Sequence, residues 1–390
     1  MRLAIVNRFA PPDPSMTGRM AADLALALRR RFPDWPITLI TTDRSYRTAT
    51  IPPIKDGSID VIRLPSRSAE HGRLSRLAGS LLDGRALARA AFECADTVIA
   101  LTDPPLLGVW TGRRARRSGG RWVEWSMDLF PEAFVAARIA RRDGIAMRYL
   151  MNALRRRPPD FRLALGERQL DHLEKTRGRV EDHAVLPAGI LTTVDAGASA
   201  PRHQTPLHIG YIGNVGEAHS VEMIARFIEL ADPERFRFTL AVSGSGAARL
   251  ADQIGAPSHV TYTDYLEEDA ISSIHVHLVS LRKEWIHVSV PSKAITAVMT
   301  GRPFMFAGPE NSDTWSMLGD AGWRLPSGRE EQIEIRQLLD QMADPDIWAI
   351  KQRNALRLRE SLLVMRENAL DRLCGFLSRS HQTWRDQERP

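Results

Sequence analysis

Short apolar runs alternate with longer amphipathic stretches along this 390-residue chain, and the alternation occurs twice. In the first half the apolar runs are Leu3 to Val6, Ile37 to Thr42, Val61 to Leu64, Thr97 to Leu101, Trp122 to Trp125 and Leu163 to Leu165. In the second half they are His208 to Ile212, Phe238 to Val242, Val260 to Tyr262, Val276 to Val279 and Phe304 to Phe306. Continuous apolar runs mark strands buried on both faces, the condition of a parallel sheet covered by helices. The stretches between them carry helical spacing at Met16 to Arg31, Pro105 to Arg117, residues 145–156 (stopped by Pro158-Pro159) and from about Glu167. A chain of this length exceeds one comfortable core and suits two. The expected fold class is α/β, with two Rossmann-like doubly wound domains facing across a cleft.

The linker between them is expected at residues 187–206, where Pro187-Ala188-Gly189 ends the first sheet and Ala196 to Pro206 is small, polar and proline-containing. This gives domains at 1–195 and 206–365. From Glu330 onward the pattern is helical, with pieces at Trp348 to Met365 and Leu370 to Trp384, so that residues 366–390 form a terminal helical segment.

Composition excludes several classes. The chain is 43% hydrophobic and 26% charged, as in a soluble globular protein, and it holds no run of about 18 apolar residues that would span a membrane. Met1 to Asn7 is a buried strand, too short for the apolar region of a signal peptide. Two cysteines, Cys94 and Cys374, suit reduced thiols and a cytoplasmic location. His275 and His277 sit one residue apart in a strand, a structural placement more than a metal-binding one, and no Asp-x-Asp pair stands in a suitable loop. The expected chemistry is therefore metal-independent. Charge is divided unevenly: residues 1–190 hold 32 Lys and Arg against 21 Asp and Glu, and the remainder 21 against 26. The arginine runs 29–31, 113–117, 141–142 and 155–157 suit an anionic membrane surface or a diphosphate-bearing acceptor, or else are solvated helix faces. They lack the interleaved aromatics of a nucleic-acid site.

Candidate chemistry lies just beyond the strands, where open parallel sheets bind ligands. Val290-Pro291-Ser292-Lys293 reads as a loop entering a helix capped by the Ser292 hydroxyl, followed by a turn at Thr300-Gly301-Arg302-Pro303 and a strand from Phe304. Free helix N–H groups beside the Lys293 ammonium suit a diphosphate; the plain alternative is a capped helix with a solvated lysine. Gly213-Asn214-Val215-Gly216 and Ser243-Gly244-Ser245-Gly246 bring backbone N–H groups to the same edge, and neither completes the Gly-x-Gly-x-x-Gly pattern of a nicotinamide site. Arg282 follows a strand and is expected near Lys293, where a pair of cations would stabilise a leaving diphosphate. Gly18 lies in the loop after the first strand. Asp128 falls beyond Trp125, with Pro131 in the first turn of a helix that Asp128 or a neighbour would cap; in an inverting reaction Asp128 is the candidate general base.

These segments resemble bacterial family-4 glycosyltransferases of the surface-polysaccharide branch. Val290 to Phe306 resembles that family's VPSK…GKP region. Asn7 to Asp13 with Thr17-Gly18-Arg19 resembles its N-terminal glycine loop, and Thr102-Asp103-Pro104-Pro105 with Trp125 to Glu132 its SPP and DLWPE segments. Tyr211 to His219 with Glu222 resembles the start of its second domain. The resemblance implies the GT-B fold with a C-terminal helix crossing back to the first domain, Trp384 being a candidate for that crossing. It implies transfer of a sugar from a nucleotide-sugar donor (UDP-sugar, with GDP-sugar as the alternative) to a saccharide or polyprenyl-diphosphate-linked acceptor, with retention at the anomeric carbon. The implied roles are catalysis for Asp128, Arg282 and Lys293, and donor binding for Gly213, Asn214, Gly216, Ser243, Gly244, Pro291, Ser292 and Thr296. Gly18, Arg19 and Glu132 would contact the acceptor, and the protein would work in the cytoplasm or on the inner membrane face. One residue departs from the pattern. Thr296 stands where many members carry a ribose-binding glutamate, and its hydroxyl cannot accept two hydrogen bonds as a carboxylate does; Glu310 is a candidate substitute. A nucleotide-sugar epimerase of the same architecture and a non-catalytic scaffold are the competing readings.

Overall fold

The computed structural model describes residues 1–44, 53–54, 57, 59–67, 73–191, 202–263, 271, 273–325 and 331–387. The chain divides into two compact units, Met1–Thr192 with Met365–Pro390, and Thr193–Val364.

The first unit is a seven-stranded sheet in the order β3-β2-β1-β4-β5-β6-β7, all parallel. Its strands are β1 (Leu3–Val6), β2 (Ile37–Thr42), β3 (Ile59–Leu64), β4 (Thr97–Ala100), β5 (Arg121–Trp125), β6 (Phe161–Ala164) and β7 (His183–Val185). Helices α1 (Met16–Arg31), α2 (Arg73–Cys94), α3 (Leu107–Ser118), α4 (Glu132–Ala136), α5 (Ile145–Arg155) and α6 (Glu167–Arg177) connect them. The inner strands β1 and β4 are buried at every position, as their uninterrupted apolar runs require. Helix α1 begins where the Ser15 hydroxyl accepts from Gly18 N–H at 3.1 Å and ends on Arg29, Arg30 and Arg31, whose charges face the negative end of its dipole.

Four buried charges tie β5, β6, α4 and α6 together. Glu124 on β5 accepts from Arg162 Nε at 3.2 Å and from Arg177 at 3.0 Å, and Arg177 reaches on to Glu132 at 2.7 Å. Arg162 and Arg177 are almost wholly inaccessible, so each guanidinium depends on these partners to offset its desolvation.

The second unit is a six-stranded parallel sheet, β10-β9-β8-β11-β12-β13. Its strands are β8 (Leu207–Asn214), β9 (Phe236–Ser243), β10 (Val260–Thr263), β11 (Val276–Ser280), β12 (Phe304–Ala307) and β13 (Gly322–Arg324). Its helices are α7 (Val221–Glu229), α8 (Ala247–Ile254), α9 (Ser292–Met299), α10 (Asp313–Leu318) and α11 (Glu331–Ala343), and α12 (Pro345–Gln387) starts there. One face of the sheet packs Ile209, Tyr211, Phe238, Leu240 and Leu278 against Phe227, Ile228 and Trp348. His275 and His277 are buried in and beside β11, and burial drives both toward the neutral imidazole.

The structure revises several expectations. The sixth strand starts at Phe161, two residues ahead of the expected Leu163, because Phe161 and Arg162 are drawn into the interior. The two helical pieces expected at 348–365 and 370–384 are one helix, α12, since no Gly or Pro interrupts Arg366 to Ala369. From Met365 this helix belongs to the first unit. There Arg31 pairs with Glu367 and Asp371, Phe376 meets Phe161 at a ring separation of 5.3 Å, and Arg379 pairs with Asp182 at 3.0 Å. The side chain of Trp384 and positions 192–201 of the expected linker lie outside the described residues.

Candidate functional site

Strand order reverses twice, between β1 and β4 in the first unit and between β8 and β11 in the second. In doubly wound sheets the loops at such a reversal part and leave a crevice beyond the strand ends.

In the second unit that crevice is lined by residues 213–220, the end of β8 and the loop after it, and by the segment running from β11 into α9. Helix α9 buries Ala294, Ile295, Ala297, Val298 and Met299, leaving Ser292, Lys293 and Thr296 partly exposed on its other side. The Lys293 ammonium donates to Asn214 O at 3.2 Å and lies 5.5 Å from the centre of the Tyr211 ring. Gly213, at φ +109°, allows this approach, because a Cβ there would stand 3.3 Å from Lys293 Cε. Among the described residues no carboxylate pairs with Lys293. Crowding by neutral atoms pushes its pKa down to about 8, although the side chain keeps some access to water.

The expected hydroxyl cap is corrected. Ser292 is the first helical residue; the cap position falls to Pro291, whose extended backbone leads into the helix and whose side chain makes no cap bond. The first N–H groups of α9 therefore have no side-chain cap, which leaves them available to a ligand.

The loops interlock. Val215 N–H donates to Ser243 O at 2.7 Å and Gly246 N–H to Val215 O at 2.8 Å. At Gly244, φ +94°, an added Cβ would meet Asn214 Oδ1 at 1.9 Å, so only glycine lets the two loops pass. The Ser243 hydroxyl is buried and has no hydrogen-bond partner among the described residues, an unmet demand that a ligand can fill. Arg282 is held by its N–H, which donates to Ala218 O at 2.8 Å, with its guanidinium 3.7 Å from Glu284. Arg282 and Lys293 are thus anchored on the loop after β8 and on the last residue of β8 itself. Glu310, past β12, pairs with Arg324 at 3.1 Å.

The sequence reading named His219 within a resembling segment but gave it no role. Its Nδ1–H donates to Ser280 O at 2.9 Å, which fixes the proton on Nδ1 and turns Nε2 into an acceptor. Burial and the nearby Lys293 charge lower its pKa to about 3, so the imidazole is neutral. Ser280 also accepts from Ser220 N–H at 3.3 Å, and the Tyr211 and His219 rings meet edge-on. The signals for it in the sequence were its place just after β8 and in the segment from Tyr211 to His219.

In the first unit the reversal carries a partly buried ion pair between two residues that the sequence reading named only within resembling segments. Arg8, just past β1, lies 3.1 Å from Asp103, just past β4. Burial raises the Asp103 pKa against the pull of Arg8. Gly18 packs on the same loop, where a Cβ would stand 2.9 Å from the backbone carbon of Phe9. Asn7 Oδ1 and Ser126 Oγ are buried there without partners among the described residues. Asp128 is exposed beyond β5, and α4 starts at Glu132 behind Pro131 with no side-chain cap bond. Glu132, expected to meet an acceptor, instead gives both carboxylate oxygens to Arg177 at 3.2 and 2.7 Å. Burial works against its charge and Arg177 overrides it, holding the carboxyl below the usual range.

Among the described residues no group of three or more His, Cys, Asp or Glu is placed to hold a metal ion, and no helix is long and apolar enough to cross a membrane.

Two parallel doubly wound units, with the last helix ending on the first, define the GT-B fold. Solved structures agree with it over nearly the whole chain. Sucrose-phosphate synthase from Thermosynechococcus elongatus matches with a TM-score of 0.68 at 13% identity, covering 98% of this chain and 99% of that one. HepE of Anabaena, solved in complex with UDP, matches with a TM-score of 0.62 at 13% identity, covering 96% and 100%. By sequence the chain is similar to the probable glycosyltransferase WbjE of Pseudomonas aeruginosa, 23% identical over 382 residues, 90% of this chain and 91% of that protein. No family model matches.

Proposed function

We propose that this chain is a glycosyltransferase that moves a sugar from a nucleotide-sugar donor to a saccharide or polyprenyl-diphosphate-linked acceptor in surface-polysaccharide synthesis. The observation that carries this reading is Lys293, a cation with no carboxylate partner among the described residues, beside an uncapped helix start at the reversal point of the second sheet. Such a place accepts a diphosphate and stabilises the charge that grows on it as the glycosidic bond breaks.

In this reading Lys293 and Arg282 hold the diphosphate, and Gly213, Asn214, Gly216 and Gly244 let its oxygens approach backbone N–H groups. Ser243 and Thr296 donate hydroxyls to the nucleoside or sugar. A family-4 affiliation, a UDP-sugar donor and retention follow from the same resemblance. With retention, the departing phosphate oxygen can take the acceptor proton, and no strong protein base is needed. Asp128, Gly18 and Arg19 would then serve the acceptor, with Asp128 positioning its hydroxyl. The likeness to WbjE, a probable glycosyltransferase, supports transfer over epimerisation.

The test is release of nucleoside diphosphate from a panel of UDP- and GDP-sugars, with and without polyprenyl-diphosphate-linked acceptors. Acceptor-dependent release, reduced about 100-fold or more in kcat by Arg282→Ala or Lys293→Ala, is the expected result. Conversion of the donor to an isomeric sugar without acceptor would identify an epimerase. Nucleotide binding with neither reaction would identify a scaffold.

A further inference from the structure

The first unit carries a second electropositive feature, which the proposed transfer does not use. A groove of about 710 Å³ lies between α2 and α3 and is lined by seven arginines, among them Arg85, Arg113, Arg114, Arg117 and Arg157, together with Trp110. Arg85 sits in the second half of α2, and Arg113, Arg114 and Arg117 in the last turns of α3. The arginines at those helix ends lie toward the amino ends of β4 and β5, whereas Arg8 and Asp103 lie past the carboxyl ends of β1 and β4.

Helix-end arginines commonly complement the helix dipole, and Arg116 and Arg117 do so. That accounts for two charges and not for seven converging on one cavity. Compensation is sparse: among the described residues, Glu93 is the carboxylate paired with them, 2.7 Å from Arg89 and 3.8 Å from Arg114. Three N–H donors of the lining, Trp110 Nε1, Arg114 Nε and Arg157 Nε, are buried with no hydrogen-bond partner among the described residues. A solvated helix face would leave such donors to water; buried and unmatched, they need an acceptor. Arg113 is fixed in place, 5.2 Å from the Trp110 ring centre and donating to Tyr149 Oη at 2.9 Å. Tyr149 and Ile145 stand 60% and 80% exposed on α5, making an apolar ridge beside the groove.

We propose that this groove binds clustered phosphate groups. Guanidinium forks match phosphate oxygens two at a time, and several arginines around one cavity select for more than one phosphate. The phosphates can belong to anionic lipid headgroups, with Ile145 and Tyr149 entering the interface, or to a soluble polyphosphate. The inference stands independently of the donor site in the second unit.

The experiment measures binding of the full chain to phosphatidylglycerol vesicles, to phosphatidylcholine vesicles and to sodium tripolyphosphate, for the wild type and for Arg113→Ser/Arg117→Ser. Expected is binding to at least one phosphate probe, weakened about 30-fold in the double variant, with UDP binding unchanged. Binding to phosphatidylglycerol alone assigns the phosphates to a lipid surface; binding to tripolyphosphate as well assigns them to any clustered phosphate. Binding to none of the probes, or binding that the double variant leaves intact while it stays folded by circular dichroism, would overturn the proposal.

Discussion

Filling the Lys293 site with a nucleoside diphosphate should draw a proton onto the protein. Crowding without a partner charge holds the Lys293 pKa at about 8, so at pH 8 about half of the empty sites carry neutral lysine. An anion within about 4–6 Å raises a pKa by roughly 1–3 units, which would leave the bound ammonium almost fully protonated. The difference is an uptake of about 0.4–0.5 proton per site at pH 8, falling to about 0.1 at pH 7, where the empty site is already charged. Its neighbour His219, with a pKa of about 3, contributes nothing in this range. The assay is titration calorimetry of UDP in two buffers of different ionisation enthalpy at both pH values, with Lys293→Met as control. Affinity should also fall as pH rises above 8, by up to about tenfold per unit, and level off once pH passes the raised pKa of the bound site. Uptake near zero at pH 8 in the wild type, or equal uptake in Lys293→Met, would refute the assignment of the diphosphate to this lysine.

Further outcomes follow from the same contacts. Gly244→Ala forces a side chain onto Asn214 at a positive φ; it should cost about 1–3 kcal/mol of stability and weaken nucleotide binding, read by denaturant unfolding and calorimetry. Arg177→Met leaves Glu124 and Glu132 buried with their shared cation gone and should cost about 3–5 kcal/mol, visible as a lower urea midpoint; a loss under about 1 kcal/mol would contradict the network. Glu132 has a folded pKa below its unfolded value, so its contribution is complete above about pH 4.3 and is lost as pH falls through the folded value. Glu132→Gln should therefore flatten the stability–pH slope below about pH 4.

Much of this fold was legible because buried parallel strands announce themselves. Helix α1 and strand β2 fall where apolar spacing and flanking residues place them, at Met16–Arg31 and Ile37–Thr42. Helix α2 was passed over: Gly79 and Gly84 interrupt its pattern, and its apolar positions are not confined to one stripe. Strands β7 and β13 are three residues each, too short to show a period. At the candidate site, sequence brought Gly213, Asn214, Gly244 and Lys293 to the strand and helix ends that meet, because glycines and the ends of apolar runs mark those places. It could not choose Pro291 over Ser292 as the cap, since both precede the apolar run. Nor could it see that Glu132 faces Arg177, or that Arg8 faces Asp103 across 95 positions of chain; a charge gains its role from a partner that only the fold supplies.

The central claim is that the second unit holds a nucleoside diphosphate on Lys293 and Arg282. It is tested most directly by thermal unfolding against UDP, GDP, ADP, dTDP and CMP, for the wild type, Arg282→Ala and Lys293→Ala. At about 100 times its dissociation constant the right nucleotide should add about 2.7 kcal/mol. The account predicts a clear upward shift in Tm with one nucleoside diphosphate, absent from both variants. No shift with any nucleotide, or a shift that both variants keep, would contradict it.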